Sequence, residues 1–101
     1  MAEGFDPNAI DEVIHGRMRL GIMAYLAQAS PAAFTELARA LGATNGNLSV
    51  HLTKLEAAGY VETSKRQGRG RGLTTAALTA EGRAAWARYL DQMRGLLGED
   101  G

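Results

Sequence analysis

The densest chemical signal in this sequence is a run of cations and glycines, SKRQGRGRG at residues 64–72. It holds four cations and three glycines within nine residues. Cationic side chains bind phosphate oxygens, and glycine lets a backbone approach a ligand closely. The run therefore predicts contact with a nucleic-acid backbone, although read alone it also fits a disordered RNA-binding tail or a flexible linker. The predicted contact residues are Lys65, Arg66, Arg69 and Arg71.

A second polar set lies just upstream, interleaved with Leu48, Leu52 and Leu55. If this leucine stripe faces inward, the outer face of the helix offers amides, hydroxyls, an imidazole, a cation and a branched apolar group. It carries no acid before Glu56. Such groups can read base edges in a major groove, while the alternative is an ordinary solvated face. The candidate DNA-reading residues are Thr44, Asn45, Asn47, Ser49, Val50, His51, Thr53 and Lys54.

Composition excludes several other chemistries. The chain has no cysteine and only two histidines, far apart at His15 and His51, so we expect no metal site and no cofactor. No serine–histidine–aspartate set or phosphate-binding loop of the P-loop type is present, which argues against an enzyme. No apolar run approaches a membrane span and the acidic start does not resemble a signal peptide, so we expect a cytoplasmic protein with no membrane partner.

Charge is balanced overall but unevenly distributed. The 101-residue chain has a formal net charge of zero. Residues 1–12 carry acids only, whereas residues 63–80 carry cations only. A neutral protein with one concentrated basic patch can still bind a polyanion locally.

The elements that must position these residues follow from hydrophobic periodicity. The length fits one domain, with residues 1–8 as a mobile end. A short first helix runs through Ile10, Val13 and Ile14, capped by Asp6 or Asn8. Further helices are predicted over 17–29, 34–41 and, after the N-cap Thr44, 45–57; Gly42 and Gly59 suit the residues that end the last two.

The period then changes from helix to strand. Residues 60–64 and 73–79 alternate as strands do, and a glycine-rich connection between two strands makes a hairpin. Thr79 caps a last helix over 80–97. The predicted fold class is mostly α with a small β-hairpin, in the order α-α-α-α-β-β-α.

The pair of short helices at 34–58 forms a helix-turn-helix, with a tight turn at Leu41–Thr44. A helix-turn-helix followed by a hairpin with a cationic end, here 60–79, is a winged helix-turn-helix. The second helix would enter the major groove, and the wing would follow the backbone or a minor groove.

The last helix predicts a dimer. It is very apolar for a terminal helix of a small domain, which favours sharing it with a second copy, although a core within one chain is the alternative. The predicted dimer-interface residues are Trp86, Tyr89, Leu90, Met93 and Leu97.

Several stretches together resemble the winged helix-turn-helix of bacterial transcription regulators of the MarR and ArsR superfamily. They are FTELARALGAT, NLSVHLTKLEAAGYVE, IHGRMRLGIMAYL and LTAEGRAAWARYL. The resemblance covers roughly residues 10–97 and implies a homodimer, a recognition helix near 45–57, a wing near 65–72 and possible control by a small-molecule effector. Two departures limit it: Val50 stands where such helices often carry arginine, and the metal ligands of ArsR-type sensors are missing.

These features predict a dimeric, sequence-specific transcription regulator that binds a pseudo-palindromic double-stranded operator and acts as a repressor. A winged-helix module that binds another protein is the alternative, and RNA binding through the arginine–glycine run is a weaker one. We also expect Arg19 to form an ion pair within the chain or across a dimer, His15 to be a helix-break or interface residue, and a pocket between the first helix, the last helix and the wing base to hold any effector.

Overall fold

The computed structural model describes residues 6–67 and 72–98. Residues 1–5, part of the end that the sequence predicts to be mobile, lie outside the described residues. So do Arg69 and Arg71, two of the four predicted wing cations.

In the described part, four α-helices and three strands follow a short N-terminal 3-10 turn, Pro7–Ala9. The three strands form one antiparallel sheet in the order β1-β3-β2. The predicted winged-helix class, mostly α with a small hairpin, is therefore confirmed. The elements are α1 (Arg17–Gln28), β1 (Ala32–Ala33), α2 (Phe34–Leu41), α3 (Asn45–Ala57), β2 (Val61–Gln67), β3 (Gly72–Leu78) and α4 (Ala80–Leu96).

The predicted first helix is shorter than the apolar spacing indicates. Asp6 caps the 3-10 turn by accepting a hydrogen bond from the Asn8 amide at 3.0 Å. The Asp11 carboxylate then accepts from the Val13 and Ile14 amides at 2.9 and 3.2 Å. Aspartate side chains that bind nearby amides compete with helical bonding, and so short a segment lacks the length that offsets helix nucleation.

The sequence analysis also missed β1. Its two alanines pair with β3, Ala32 opposite Ala76 and Ala33 opposite Thr75. A strand of two small residues has no alternating pattern to detect. Its place is fixed by tertiary contacts, among them the Leu78 amide, which donates to Ser30 Oγ at 2.9 Å.

The core has α1 at its centre. This helix packs against α2, α3, α4 and β3, and its Ile22, Met23 and Leu26 are fully buried. Ile14 is buried as well, so the N-terminal segment 6–16 closes one side of the core. Because α3 contributes its leucines to this core, its opposite face is left to solvent.

Gly42 makes the turn between α2 and α3. It has a φ of +64°, in the left-handed region that favours glycine, and its amide bonds to the last turn of α2. Thr44 then caps α3 by accepting from the Asn47 amide at 3.1 Å. The predicted helix-turn-helix is present with its predicted glycine and cap.

Gly82 joins α4 to the base of the hairpin. Thr79 caps α4 by accepting from the Gly82 amide at 2.8 Å, and it donates to the Gly59 carbonyl at 2.6 Å. A Cβ at Gly82 would lie 2.1 Å from the Tyr60 carbonyl oxygen. The first turn of α4 therefore packs directly on the backbone where the hairpin begins.

Among residues 6–67 and 72–98, no helix has the length and apolar character required to cross a membrane.

Candidate nucleic-acid interface

Helix α3 has an apolar inner face and a polar outer face, as its leucine stripe predicts. Leu48 and Leu55 are fully buried and Leu52 is 4% exposed. All the candidate reading residues lie at the surface, and only His51 is partly buried. Val50 is 53% exposed at the middle of this surface. We call this surface the reading face; it comprises Thr44, Asn45, Asn47, Ser49, Val50, Thr53 and Lys54, with His51 on its flank.

The N-terminus of α3 opens this face. Asn45, Gly46 and Asn47 are exposed in its first turn. The amides there form the positive end of the helix dipole, which favours anionic groups. This end of the helix is suited to a phosphate oxygen.

The stretch of α3 that forms the reading face contains no acidic side chain. Its described surface has no acid from Thr44 to Lys54, and the next, Glu56, accepts a hydrogen bond from Thr63 on β2 at 3.0 Å. Thr53 donates its hydroxyl hydrogen to the Ser49 carbonyl at 2.9 Å. The remaining outward chemistry is neutral or cationic, which is compatible with a polyanion.

His51 is tied to α1 by Arg19. The Arg19 Nη1 atom lies 3.0 Å from His51 Nδ1, and Arg19 Nε donates to the Val13 carbonyl at 2.5 Å. An ion pair of Arg19 within the chain or across a dimer was expected. Within the described chain, its guanidinium instead donates to two neutral acceptors, because the fold places a carbonyl and an imidazole around it. A pair across a dimer stays a prediction.

The pKa of His51 is lowered from its ordinary value of 6.5, first by burial and then by the positive charges of Arg19 and Lys54. In the unfolded chain, His51 takes up a proton near its ordinary pKa of 6.5. In the folded protein its pKa is lower, so protonation requires a lower pH. The stability contributed by neutral His51 is present above about pH 6.5 and is lost as the pH falls towards the lower pKa of the folded state.

We therefore expect the free energy of unfolding of the wild type to fall between about pH 6.5 and pH 5.5 more steeply than that of His51→Gln, which cannot charge. Urea denaturation at both pH values measures the difference. Gln28→Asn, a change between two uncharged side chains at an exposed position of α1, is the control and should keep the slope of the wild type. Equal slopes for the wild type and His51→Gln would contradict this assignment.

The wing hairpin starts beside the C-terminal half of α3. Strands β2 and β3 pair from Val61–Leu78 outward to Gln67–Gly72. Lys65, opposite Thr74, is exposed, and Arg66 lies opposite Leu73 near the outer end. The hairpin thus carries Lys65 and Arg66 away from the core, while Arg69 and Arg71 fall outside the described residues.

The predicted dimer residues of α4 separate into two groups. Tyr89 is 3% exposed; its hydroxyl lies 2.8 Å from His15 Nδ1 and its ring stacks on Trp86 at a centroid distance of 5.7 Å. It is therefore part of the core of its own chain. Leu97 is 72% exposed, and Trp86, Leu90 and Met93 are partly buried. Leu96, which was not among the predicted residues, is 51% exposed beside Leu97.

Sequence reasoning missed a second tether of the N-terminal segment. The Tyr60 hydroxyl donates to the Asp11 carboxylate at 2.5 Å. This hydrogen bond, with burial, raises the pKa of Tyr60 to about 12. No local pattern indicates the pair, because the two residues are distant in sequence and meet only after folding.

The N-terminal segment and α3 border an open groove of about 340 Å³, lined by Glu12, Val13, Arg19, Lys54 and Ala57. It does not lie between the first helix, the last helix and the wing base, where an effector pocket was predicted. Within the described residues, no group of three or more potential ligand side chains is arranged to hold a metal ion.

Known proteins are similar to this chain in sequence and in architecture. A family model described as the winged helix DNA-binding domain matches residues 18–97. An uncharacterised protein of Methanocaldococcus jannaschii is 37% identical over 79 residues, which cover 78% of this chain and 86% of the relative.

Solved structures agree with the sequence matches. The transcriptional regulator homologue from Pyrococcus horikoshii OT3 has a TM-score of 0.80 at 30% identity, over 85% of each chain. A transcriptional regulator of the MarR family from Enterococcus faecalis V583 has a TM-score of 0.74 at 26% identity, over 85% of this chain and 77% of its own.

Proposed function

The chain belongs to the winged helix DNA-binding domain family, and on that premise we propose that it is a homodimeric, sequence-specific repressor of transcription that acts in the cytoplasm. The observation that carries the proposal is the reading face. It is exposed, lacks acids from Thr44 to Lys54, begins at a helix N-terminus and lies beside a cationic hairpin. Binding to double-stranded DNA is its function, and no catalytic step is involved.

The reading face and the wing have different roles in the proposed complex with DNA. The reading face meets base edges, where the Asn45 and Asn47 amides and the Ser49 hydroxyl supply directional donors and acceptors and Val50 packs against a thymine methyl. Lys65, Arg66, Arg69 and Arg71 of the wing bind phosphates or a minor groove and set the position of the domain without reading sequence.

Repression requires only that the bound protein occupy a promoter. A domain that reads an operator can exclude polymerase from overlapping DNA, whereas activation needs a further contact with polymerase. We therefore favour a repressor over an activator.

The end of α4 supports the proposed dimer. Leu96 and Leu97 expose apolar side chains at the end of the helix, and Trp86, Leu90 and Met93 earlier in it are only partly covered by their own chain. A dimer that binds one operator with both recognition helices must present its two reading faces on the same side. The operator is then a pseudo-palindrome whose half-sites are about one helical turn, or a multiple of it, apart.

The proposed dimer predicts a scattering mass of twice the 10.7 kDa chain. Leu97→Glu, combined with Leu96→Glu, is expected to give a monomer, because burying two carboxylates in an apolar interface is strongly unfavourable. Ala84→Glu, at an exposed position of the same helix, is the control and should stay dimeric. A wild type that is monomeric at all concentrations would contradict the dimer.

A small-molecule effector remains part of the proposal. The groove beside α3 is a reasonable place for it, because a ligand touching Arg19 and Lys54 there would act directly on the recognition helix. Differences in operator affinity with and without candidate ligands would identify it.

A gel shift with fragments from upstream of the protein's own gene tests the function most simply. In that assay, we expect Arg69→Ala and Arg71→Ala to weaken binding to all sequences and to lower the salt dependence by about one released counterion each. Arg83→Ala, which removes an exposed cation from α4, is the matched control and should behave as the wild type.

Two outcomes would count against this account. If both wing variants bound like the wild type across a salt titration, Arg69 and Arg71 would not contact phosphate and the wing assignment would be wrong. If the wild type bound no fragment more tightly than random DNA, a protein-binding role for the same surface would replace the proposed function.

A further inference from the structure

We infer that Arg19 is a positioning residue for DNA binding: it fixes His51 in the tautomer with hydrogen on Nε2, so that His51 offers a donor to a DNA phosphate beside the reading face. This rests on the proposed DNA-binding function. Arg19 itself belongs to α1, not to the recognition helix, and it acts through the imidazole.

The chemistry of arginine determines the tautomer. A guanidinium has five N–H donors, no acceptor and no accessible neutral form. A contact of 3.0 Å between Arg19 Nη1 and His51 Nδ1 is therefore a hydrogen bond only if Nδ1 carries a lone pair. His51 is then neutral and its single ring hydrogen is on Nε2.

Arg19 is held in place by its surroundings. Its Nε donates to the Val13 carbonyl at 2.5 Å. Its side chain also lies against Gly16, where a Cβ would stand 2.9 Å from Nη2 and 3.1 Å from Cζ. The guanidinium of Arg19 is thus held between the N-terminal segment, the start of α1 and α3. Two of these contacts are with backbone, at Val13 and Gly16, and they direct the guanidinium towards His51.

The charged groups around His51 favour the neutral form. Arg19 approaches from α1 and Lys54 from its own helix, and both oppose protonation. Glu12 of the N-terminal segment lines the same groove as Arg19 and Lys54 but forms no ion pair with either in the described structure.

The other ring nitrogen of His51, Nε2, is not fully buried. Among the described residues that are not exposed, no buried side-chain nitrogen or oxygen lacks a hydrogen-bond partner. His51 makes its hydrogen bond through Nδ1, so Nε2 is open to water. The flank of a recognition helix borders the wall of the groove, where phosphate oxygens are the available acceptors.

The test combines a tautomer measurement with DNA affinity. Long-range 15N–1H NMR of the wild type reports whether Nδ1 or Nε2 is protonated. Affinity is measured by fluorescence anisotropy on a random-sequence duplex of about three helical turns, because a phosphate contact forms on any sequence. We expect the Nε2–H tautomer in the wild type and a mixture of tautomers in Arg19→Met.

Matched variants separate positioning from charge and from folding. Arg19→Met should weaken binding about two- to threefold, the cost of selecting the donor tautomer and ring orientation from a mixture, and more than the charge-matched Arg17→Met on the same helix. His51→Gln, whose amide nitrogen reaches the place of Nε2, should bind like the wild type. His51→Asn, whose amide is too short to reach, loses the donor altogether and should weaken binding about three- to tenfold, the range of one lost hydrogen bond.

Each result supports or overturns the inference. In a His51→Ala background, Arg19→Met should have no more effect than Arg17→Met; an undiminished effect would show that Arg19 does not act through His51. An Nδ1–H tautomer in the wild type overturns the inference even if Arg19→Met fails to fold. If the wild type binds the duplex but His51→Asn and His51→Gln both bind equally well, the donor is not used. If the wild type bound no DNA at all, the proposed function would be contradicted, and so would the role of His51 as a donor to phosphate. The NMR measurement would still show which tautomer Arg19 selects.

Discussion

Val50→Glu is expected to lower affinity for double-stranded DNA by about a hundredfold, equivalent to about 3 kcal/mol, because a carboxylate on the reading face would meet DNA acceptors and phosphates. Val50 is 53% exposed at the centre of that face, so the change should leave the fold intact. Fluorescence anisotropy measures the affinity, and circular dichroism verifies that the variant is folded.

The control for Val50→Glu is Gln28→Glu, which adds the same charge at an exposed position at the end of α1, outside α3 and the hairpin. It should change affinity only slightly through the altered net charge. If the two variants lost affinity equally, the loss would reflect net charge rather than contact, and the reading face would be wrongly assigned.

Gly82→Ala is expected to destabilise the protein by about 3 kcal/mol, at the upper end of what overpacking of a core produces. The new Cβ would lie 2.1 Å from the carbonyl oxygen and 2.9 Å from the carbonyl carbon of Tyr60. Both are backbone atoms, so no side chain can move aside, and α4 must shift away from the hairpin base. For a domain of this size, the melting temperature should fall by on the order of 15 °C.

Gly95→Ala provides the matched control in the same helix. A Cβ at Gly95 meets nothing within 4 Å, and alanine is favoured over glycine inside a helix by about 1 kcal/mol. This variant should therefore be slightly more stable than the wild type in thermal unfolding. A Gly82→Ala protein that melts with the wild type would mean that α4 does not pack closely on Tyr60.

The sequence alone was sufficient to predict features that depend on residues close together in the chain. The leucine stripe of α3, the positive φ of Gly42 and the caps Thr44 and Thr79 each depend on residues within about two turns of helix, and each was predicted and is present. The winged-helix fold and the resemblance to MarR regulators are confirmed, because a few local signals in the right order define this architecture.

Features that depend on distant partners were not predictable. The Arg19–His51 and Asp11–Tyr60 contacts join residues 32 and 49 positions apart, and neither leaves a pattern in sequence. The burial of Tyr89 has the same origin, since its partner His15 lies in the N-terminal segment. An apolar helix looks the same in sequence whether its aromatic residue packs inward or against a second chain.

These distant contacts give the N-terminal segment a role that its sequence does not suggest. Val13 accepts from the same arginine that holds His51, and Asp11 accepts from Tyr60 at the start of the hairpin. The segment therefore contacts residues next to both of the proposed DNA-binding elements, α3 and the hairpin. The DNA-binding roles of the individual reading-face and wing residues, and the dimer itself, stay predictions.

Selection of genomic fragments bound by the purified wild-type protein, followed by sequencing, tests the central claim most directly. The account predicts enrichment of a small set of promoter-proximal fragments that share an inverted repeat, with half-sites about one helical turn or a multiple of it apart. Recovery of fragments with no common sequence, or of no DNA above background, would contradict sequence-specific recognition by the α3 reading face.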